Sequence, residues 1–260
     1  MKPADLKQFK QRGEKITCLT AYDASLAQLM DSCEIDLILV GDSLGMVVQG
    51  EKSTRTVSVS EMVYHTKAVA KSCDQALVIA DMPYQSYEEP SMALENAKLL
   101  IDAGAQMVKL EGGAERQKVV ETLIENCIPV CAHLGLQPQK VKKASDYKVQ
   151  GKNLGSAKAI IEDALLLESL GVEALVLECI PSSLAKLVSE QLSIPTIGIG
   201  AGKDCDGQVL VCYDMLGITQ GKLPRFVRDF TAANSSIPMA IKAFIQAVKN
   251  QSFPSEKESY

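Results

Sequence analysis

The chain has 260 residues, 47% of them hydrophobic and 23% charged, a balance ordinary for a globular protein and far from disordered or collagen-like extremes. Lys and Arg number 27 against 32 Asp and Glu, a formal net charge of -5, and no basic block is present that could track a phosphate backbone, so nucleic acid is not an expected partner. The length suits one alternating α/β barrel of about 250 residues better than two small domains.

The N-terminal stretch MKPADLKQFKQRGEK is polar and lacks the apolar core of a signal peptide, which points to the cytoplasm. The first apolar run is ITCLTAYD (16–23), followed by helical spacing over Ser25 to Cys33. LILVGDS (37–43) comes next, then a polar, turn-rich stretch at 51–59 that reads as a loop, then a helical pattern over Ser60 to Lys71. LVIADMP (77–83), a helix over Ser91 to Ala103, MVKLEGG (107–113) and a helix over Ala114 to Asn126 continue the alternation. PVCAHLG (129–135) leads into a second polar loop at 140–155, a helix over Ser156 to Leu170, ALVLECIP (174–181) and a helix over Ser182 to Gln191. PTIGIGAG (195–202) and VLVCYDM (209–215) stand so close together that the last crossover must be abbreviated. Helical spacing returns over Ala232 to Lys249, before a charged tail that is expected to fray.

Eight short runs, apolar on both faces and alternating with helices, imply a parallel sheet. The expected fold is a single (β/α)8 barrel over residues 1–260, with a C-terminal helix and a short polar tail. An open doubly wound sheet competes, but LTAYDAS after the first run carries no Gly-rich phosphate turn. No apolar run approaches the roughly 20 residues of a membrane span. The eight cysteines are scattered without a Cys-x-x-Cys pair, as expected of free thiols in a reducing compartment. A zinc site from Cys127, Cys131 and His133 is the lesser reading, because the chain has only two histidines and Cys131 sits inside a strand pattern.

In a barrel of this kind the carboxyl ends of the strands face one rim, where active sites form. The run endings place Tyr22 and Asp23, Asp42 and Ser43, Asp81, Lys109 and Glu111, His133, and Glu178 there. Each has an ordinary structural reading as a cap, turn former or ion-pair partner. Together, several buried carboxylates repel one another unless protons or a cation neutralise them. Oxygen donors favour Mg2+ over zinc, with Mn2+ as a substitute. Glu178 lies between Leu175-Val176-Leu177 and Cys179-Ile180-Pro181, an apolar setting that raises a carboxyl's pKa and suits a base. A cation chelated by a 2-oxo acid, with a base beside it, makes an enolate that can attack an electrophile.

Nine ordered motifs extend this reading: LTAYD (19–23), VGDSLGMVVQG (40–50), YHTKAV (64–69), ADMPY (80–84), MVKLEGG (107–113), HLGLQPQ (133–139), YKVQG (147–151), LVLECIP (175–181) and IGIGAG (197–202). In combination they closely resemble the ketopantoate hydroxymethyltransferase family, from about Lys15 to the tail. The resemblance implies a (β/α)8 enzyme of pantothenate biosynthesis that moves a hydroxymethyl unit from 5,10-methylenetetrahydrofolate to 3-methyl-2-oxobutanoate. It also implies Mg2+, held by Asp42 and Asp81 with Glu111 in or beside its shell. Ser43 and Lys109 would hold the oxo acid's carboxylate, Asp42 and Asp81 would also bind the substrate, Glu178 would be the base, and His133 would line the pocket as a further substrate-binding residue. Self-association to a homo-oligomer, commonly a decamer, is a further implication. The loop KASDYKVQG (143–151) departs from the family pattern, where glycines often precede the tyrosine. Two rivals are a phosphoenolpyruvate mutase or isocitrate lyase type of enzyme, whose KKCGH-type loop is not found, and a ligand-binding barrel without turnover, supported only by GIGAG.

Overall fold

In the computed structural model, which describes residues 1–143 and 146–260, the apolar runs form β1 (Ile16–Thr20), β2 (Leu37–Val40), β3 (Leu77–Asp81), β4 (Met107–Glu111), β5 (Val130–Gly135), β6 (Ala174–Glu178), β7 (Thr196–Ile199) and β8 (Gly207–Leu210). They pair in parallel, in chain order, and β8 closes on β1, so the sheet is a closed barrel. The helices are α1 (Leu6–Gln11), α2 (Ala24–Ser32), α3 (Leu44–Val47), α4 (Val59–Ala70), α5 (Pro90–Asp102), α6 (Gln117–Glu125), α7 (Leu154–Leu170), α8 (Ser182–Gln191), α9 (Cys212–Met215) and α10 (Ile237–Lys249). No helix among the described residues is long and apolar enough to cross a membrane.

Helix starts follow cap chemistry rather than the first serine of each pattern. Asp23 accepts the Leu26 N–H to open α2, Ser58 and Glu61 form a reciprocal cap on α4, and Asn153 does the same for α7 with Ser156. A cap needs an extended backbone just outside the helix, so Ser60 and Ser156 lie within the first turn instead. Only the direct passage from β7 to β8, through Gly200 to Asp206 without a helix, shortens the repeat.

The pleat divides the buried residues into two layers. One set of alternate positions packs the sheet against the helices, including Leu19, Val40, Val78, Leu110, Leu134 and Leu177. The other set fills the barrel: Ile16, Cys18, Leu37, Leu39, Leu77, Ile79, Met107, Cys131, Val176 and Val209. Leu6 of α1 is fully buried in that interior set, so the N-terminal segment plugs the barrel from below. Lys10 fastens the plug by hydrogen bonds to Ser189 O, Ile194 O and Asp206 Oδ2.

Three expectations are corrected. The run VLVCYDM is not a strand throughout: β8 ends at Leu210 and Cys212–Met215 turns into α9, whose first amide pairs with Thr20 Oγ1. Helix α10 begins at Ile237, where Ser236 accepts the Met239 N–H, rather than at Ala232. The tail is docked rather than frayed: Phe253 packs against Phe230 and Phe244 with ring centroids 5.5 and 5.9 Å away. Arg228 pairs with Glu258 at 2.6 Å, and Tyr260 O accepts the Ser182 N–H at the start of α8. Of the loop expected at 140–155, and of the KASDYKVQG departure within it, residues 144 and 145 lie outside the described residues.

Candidate active site

Strand parity decides what stands above the apolar floor. Continuing Leu77 and Ile79 by two residues brings Asp81 inward; continuing Met107 brings Lys109 and then Glu111; continuing Cys131 brings His133; continuing Ala174 and Val176 brings Glu178. Register aligns them, with Asp81 beside Lys109 and Glu111 beside His133. Asp42 joins from the turn after β2, where its amide donates to Asp81 Oδ2 at 3.0 Å. Gly41 permits that turn, since a β-carbon there would stand 2.8 Å from Ser43 Oγ. Ser43 leads α3 without capping it, and its hydroxyl instead meets the phenol of Tyr22 at 2.9 Å.

The sequence-predicted groups therefore converge, apart from Asp23, which is an exposed cap. Lys109 Nζ lies 2.7 Å from Asp81 Oδ1, so its ion pair is across strands rather than with Glu111 on its own strand. His133 Nδ1 lies 3.5 Å from Lys109 Nζ and 3.7 Å from Glu111 Oε1, and its Nε2 lies 3.2 Å from Glu178 Oε2. Asp81 Oδ1 is engaged by the Lys109 ammonium, whereas His133 Nε2 is left as a buried polar atom without a hydrogen-bond partner. Such an atom is rare unless a ligand or ion uses it.

Burial and mutual repulsion set the charges. Asp42 is pushed up by burial and by Asp81, with Lys109 and Gln139 opposing. Glu111 rises well above the carboxylate range through burial and the charge of Asp42. Glu178 is pushed up to about 8, chiefly by burial. Burial alone would lower Lys109, but Asp81, Glu111 and Asp42 outweigh it and the ammonium is held. His133 falls well below its usual value through burial and the neighbouring Lys109, so its ring is neutral and its contact with Glu178 is no salt bridge. Glu178 has the most open side chain of the carboxylates in these ion-pair contacts, 13% exposed against 4% for Asp81 and 3% for Glu111.

Among the described residues no group of three or more His, Cys, Asp or Glu side chains is arranged as a metal cage. The zinc reading gains nothing, since Cys127 is exposed on a loop. The donor chemistry is that of Mg2+ sites, which take one or two carboxylates and leave the other positions to water and substrate. Asp42 and Asp81, linked by the Asp42 amide and buried beside Glu111, fit such an ion by the chemistry of their oxygen donors.

The family profile described as ketopantoate hydroxymethyltransferase matches residues 1–256. The chain belongs to the ketopantoate hydroxymethyltransferase family. A 3-methyl-2-oxobutanoate hydroxymethyltransferase of Ruthia magnifica subsp. Calyptogena magnifica is 60% identical over 255 residues, covering 98% of each chain. One from Marinobacter nauticus is 51% identical, covering 98% of this chain and 97% of that one. Among solved structures, a phosphoenolpyruvate phosphomutase from Streptomyces platensis subsp. rosaceus superposes with a TM-score of 0.64 at 12% identity, over 84% of this chain and 83% of the other. A phosphonopyruvate hydrolase, solved with oxalate and Mg2+, gives 0.62 at 13% identity over 97% of each. At those identities the likeness is one of fold alone.

Membership in the ketopantoate hydroxymethyltransferase family thus rests on the whole chain. Two residues of the site escaped the sequence reading. Gln139, 3% exposed, donates from Nε2 to Asp42 Oδ2 at 2.8 Å and to Met82 O at 3.0 Å, while its amide N–H donates to Glu111 Oε2 at 3.1 Å. Tyr87 donates its hydroxyl to Gln139 Oε1 at 2.5 Å and accepts from the Glu111 N–H at 3.3 Å. Gln139 ends the motif HLGLQPQ, but an uncharged side chain on a loop offers no periodic signal that it turns inward.

Proposed function

We propose that this chain transfers a hydroxymethyl unit from 5,10-methylenetetrahydrofolate to 3-methyl-2-oxobutanoate, giving 2-dehydropantoate in pantothenate biosynthesis, with Glu178 as the base. Family membership and the names of relatives up to 60% identical support the reaction. The observation that carries the assignment of roles is the separation of the acids. Asp42 and Asp81 stand together beside Lys109, whereas Glu178 lies three strands on from Asp81, raised to about 8 and next to a neutral imidazole.

In this reading Asp42 and Asp81 hold Mg2+, with Glu111 beside it and Mn2+ as a working substitute. When bound, the cation polarises the 2-oxo group and so acidifies the adjacent C–H. Ser43 and Lys109 hold the carboxylate of the oxo acid. Glu178 removes the proton from carbon 3, and its carboxyl retains that proton while the carbon attacks the methylene carbon of the folate cosubstrate. At carbon 3 a C–C bond replaces the C–H bond; both bonds from the methylene carbon to the folate nitrogens break, water supplies the hydroxyl, and the proton taken from carbon 3 and one from water end on those two nitrogens. His133 lines the pocket, its Nε2 turned toward Glu178. Homo-oligomerisation, to a decamer, and a cytoplasmic location belong to the same proposal.

The rival of phosphoenolpyruvate mutase type shares the barrel, but it lacks support from any KKCGH-type loop in this chain. The deciding experiment follows the C3 proton of 3-methyl-2-oxobutanoate by NMR in D2O with Mg2+ and no folate. Exchange is expected, with Glu178→Gln slowing it by about 10²–10⁴-fold and EDTA abolishing it. Exchange indifferent to both would sink the base and the cation.

A further inference from the structure

Gln139 belongs to a short turn after β5, Pro138–Lys140, yet its side chain reaches under the ends of β2 and β3 while its backbone N–H meets Glu111 at the end of β4. Both amide hydrogens are used, one on the Asp42 carboxylate and one on the Met82 carbonyl, and the amide oxygen takes the hydroxyl of Tyr87. These partners admit one orientation only. Turned over, the amide would set its oxygen against two acceptors and its NH2 against the Tyr87 hydroxyl proton. The backbone of the same residue donates to Glu111 Oε2, and Tyr87 closes the circuit by accepting from the Glu111 amide.

We propose that Gln139 is a positioning residue for cation binding: it fixes the Asp42 carboxylate and the Glu111 carboxylate relative to Asp81, and Tyr87 fixes Gln139. The inference rests on the reading of Asp42 and Asp81 as the cation ligands. The choice of an amide has a physical reason. It donates to Asp42 without adding a charge, so the carboxylate is oriented while its negative charge stays available. A glutamate of the same shape would put acceptor against acceptor beside Asp42, and a lysine would cancel the charge that draws the cation.

The test titrates the folded, full-length protein with Mn2+, reading the free ion by electron paramagnetic resonance, without substrate. Groups that orient metal ligands are worth about 10–100-fold in affinity. Gln139→Leu is expected to weaken Mn2+ binding within that range, and Tyr87→Phe, which removes one oxygen and keeps the ring, by a smaller factor in the same direction. Circular dichroism melts of the ion-free proteins report any purely structural effect. A Gln139→Leu protein that melts earlier yet binds Mn2+ within twofold of wild type would overturn the proposal. Should Gln139→Leu fail to fold, Tyr87→Phe decides, and unchanged affinity there counts against it. Wild-type protein that takes no Mn2+ would overturn the ligand assignment itself, an outcome distinct from failure of the Gln139 variants alone.

Discussion

Glu178 shows how one residue's burial becomes a property of the fold. Its carboxyl is pushed up to about 8 from an ordinary 4.5, mainly by loss of water. Between those values the folded chain keeps a proton that the unfolded chain has released, so stability falls as pH rises and levels off above about 8. Asp42 and Glu111 are raised in the same direction. His133, held neutral, acts oppositely, but only below its unfolded value of about 6.5. The ion-free protein should therefore melt on the order of 5 °C lower at pH 8.5 than at pH 7, and Glu178→Gln should flatten that slope. Added Mg2+ should recover stability at pH 8.5, because it binds the ionised carboxylates of the native state. A scanning calorimetry midpoint independent of pH across that window would count against burial as the cause. At this scale the acids were legible in the sequence because each ends an apolar run. Gln139 and Tyr87 were not, since they reach the pocket from loops and carry no charge to betray them.

Among elements, the meeting of β5 and β6 sets the base. Gly135 closes β5 with φ +92°, and a β-carbon there would collide with the carbonyl oxygen of Glu178. Leu136 N–H donates to that same oxygen, and the next residue, Cys179, takes a left-handed φ of 48° while its N–H bonds Ile199 O. The backbone at Glu178 is thus pinned from both neighbouring strands. Gly135→Ala should displace it and slow C3 exchange by about 100-fold, the order expected for a misplacement near 1 Å. Mn2+ affinity should change far less, because Asp42 and Asp81 belong to other strands. An equal loss in both measurements would mean general distortion rather than a moved base. The strands were readable because each is a short apolar run closed by Gly, Pro or an acid. Helix α1 was not, because one buried leucine within a polar stretch leaves no period. Nor was the docking of the tail, which depends on Arg225, Arg228 and three phenylalanines far apart in sequence.

For the whole molecule, alternation of runs and helices carries the barrel, while nothing in one chain's periodicity counts subunits. Sedimentation velocity should give a mass several times the 28.0 kDa of the chain, near tenfold for a decamer; a single species at 28 kDa would refute assembly. The pocket's charge has a further consequence, for the loading of the ion. Asp42, Asp81, Glu111 and Glu178 share the cavity with one ammonium and a neutral ring. Without a cation the raised carboxyls of Asp42, Glu111 and Glu178 hold protons near neutral pH and Asp81 is paired with Lys109, so the idle cavity is close to neutral. An entering cation would have to displace those protons, so loading of the ion is coupled to proton release and should strengthen as the pH rises.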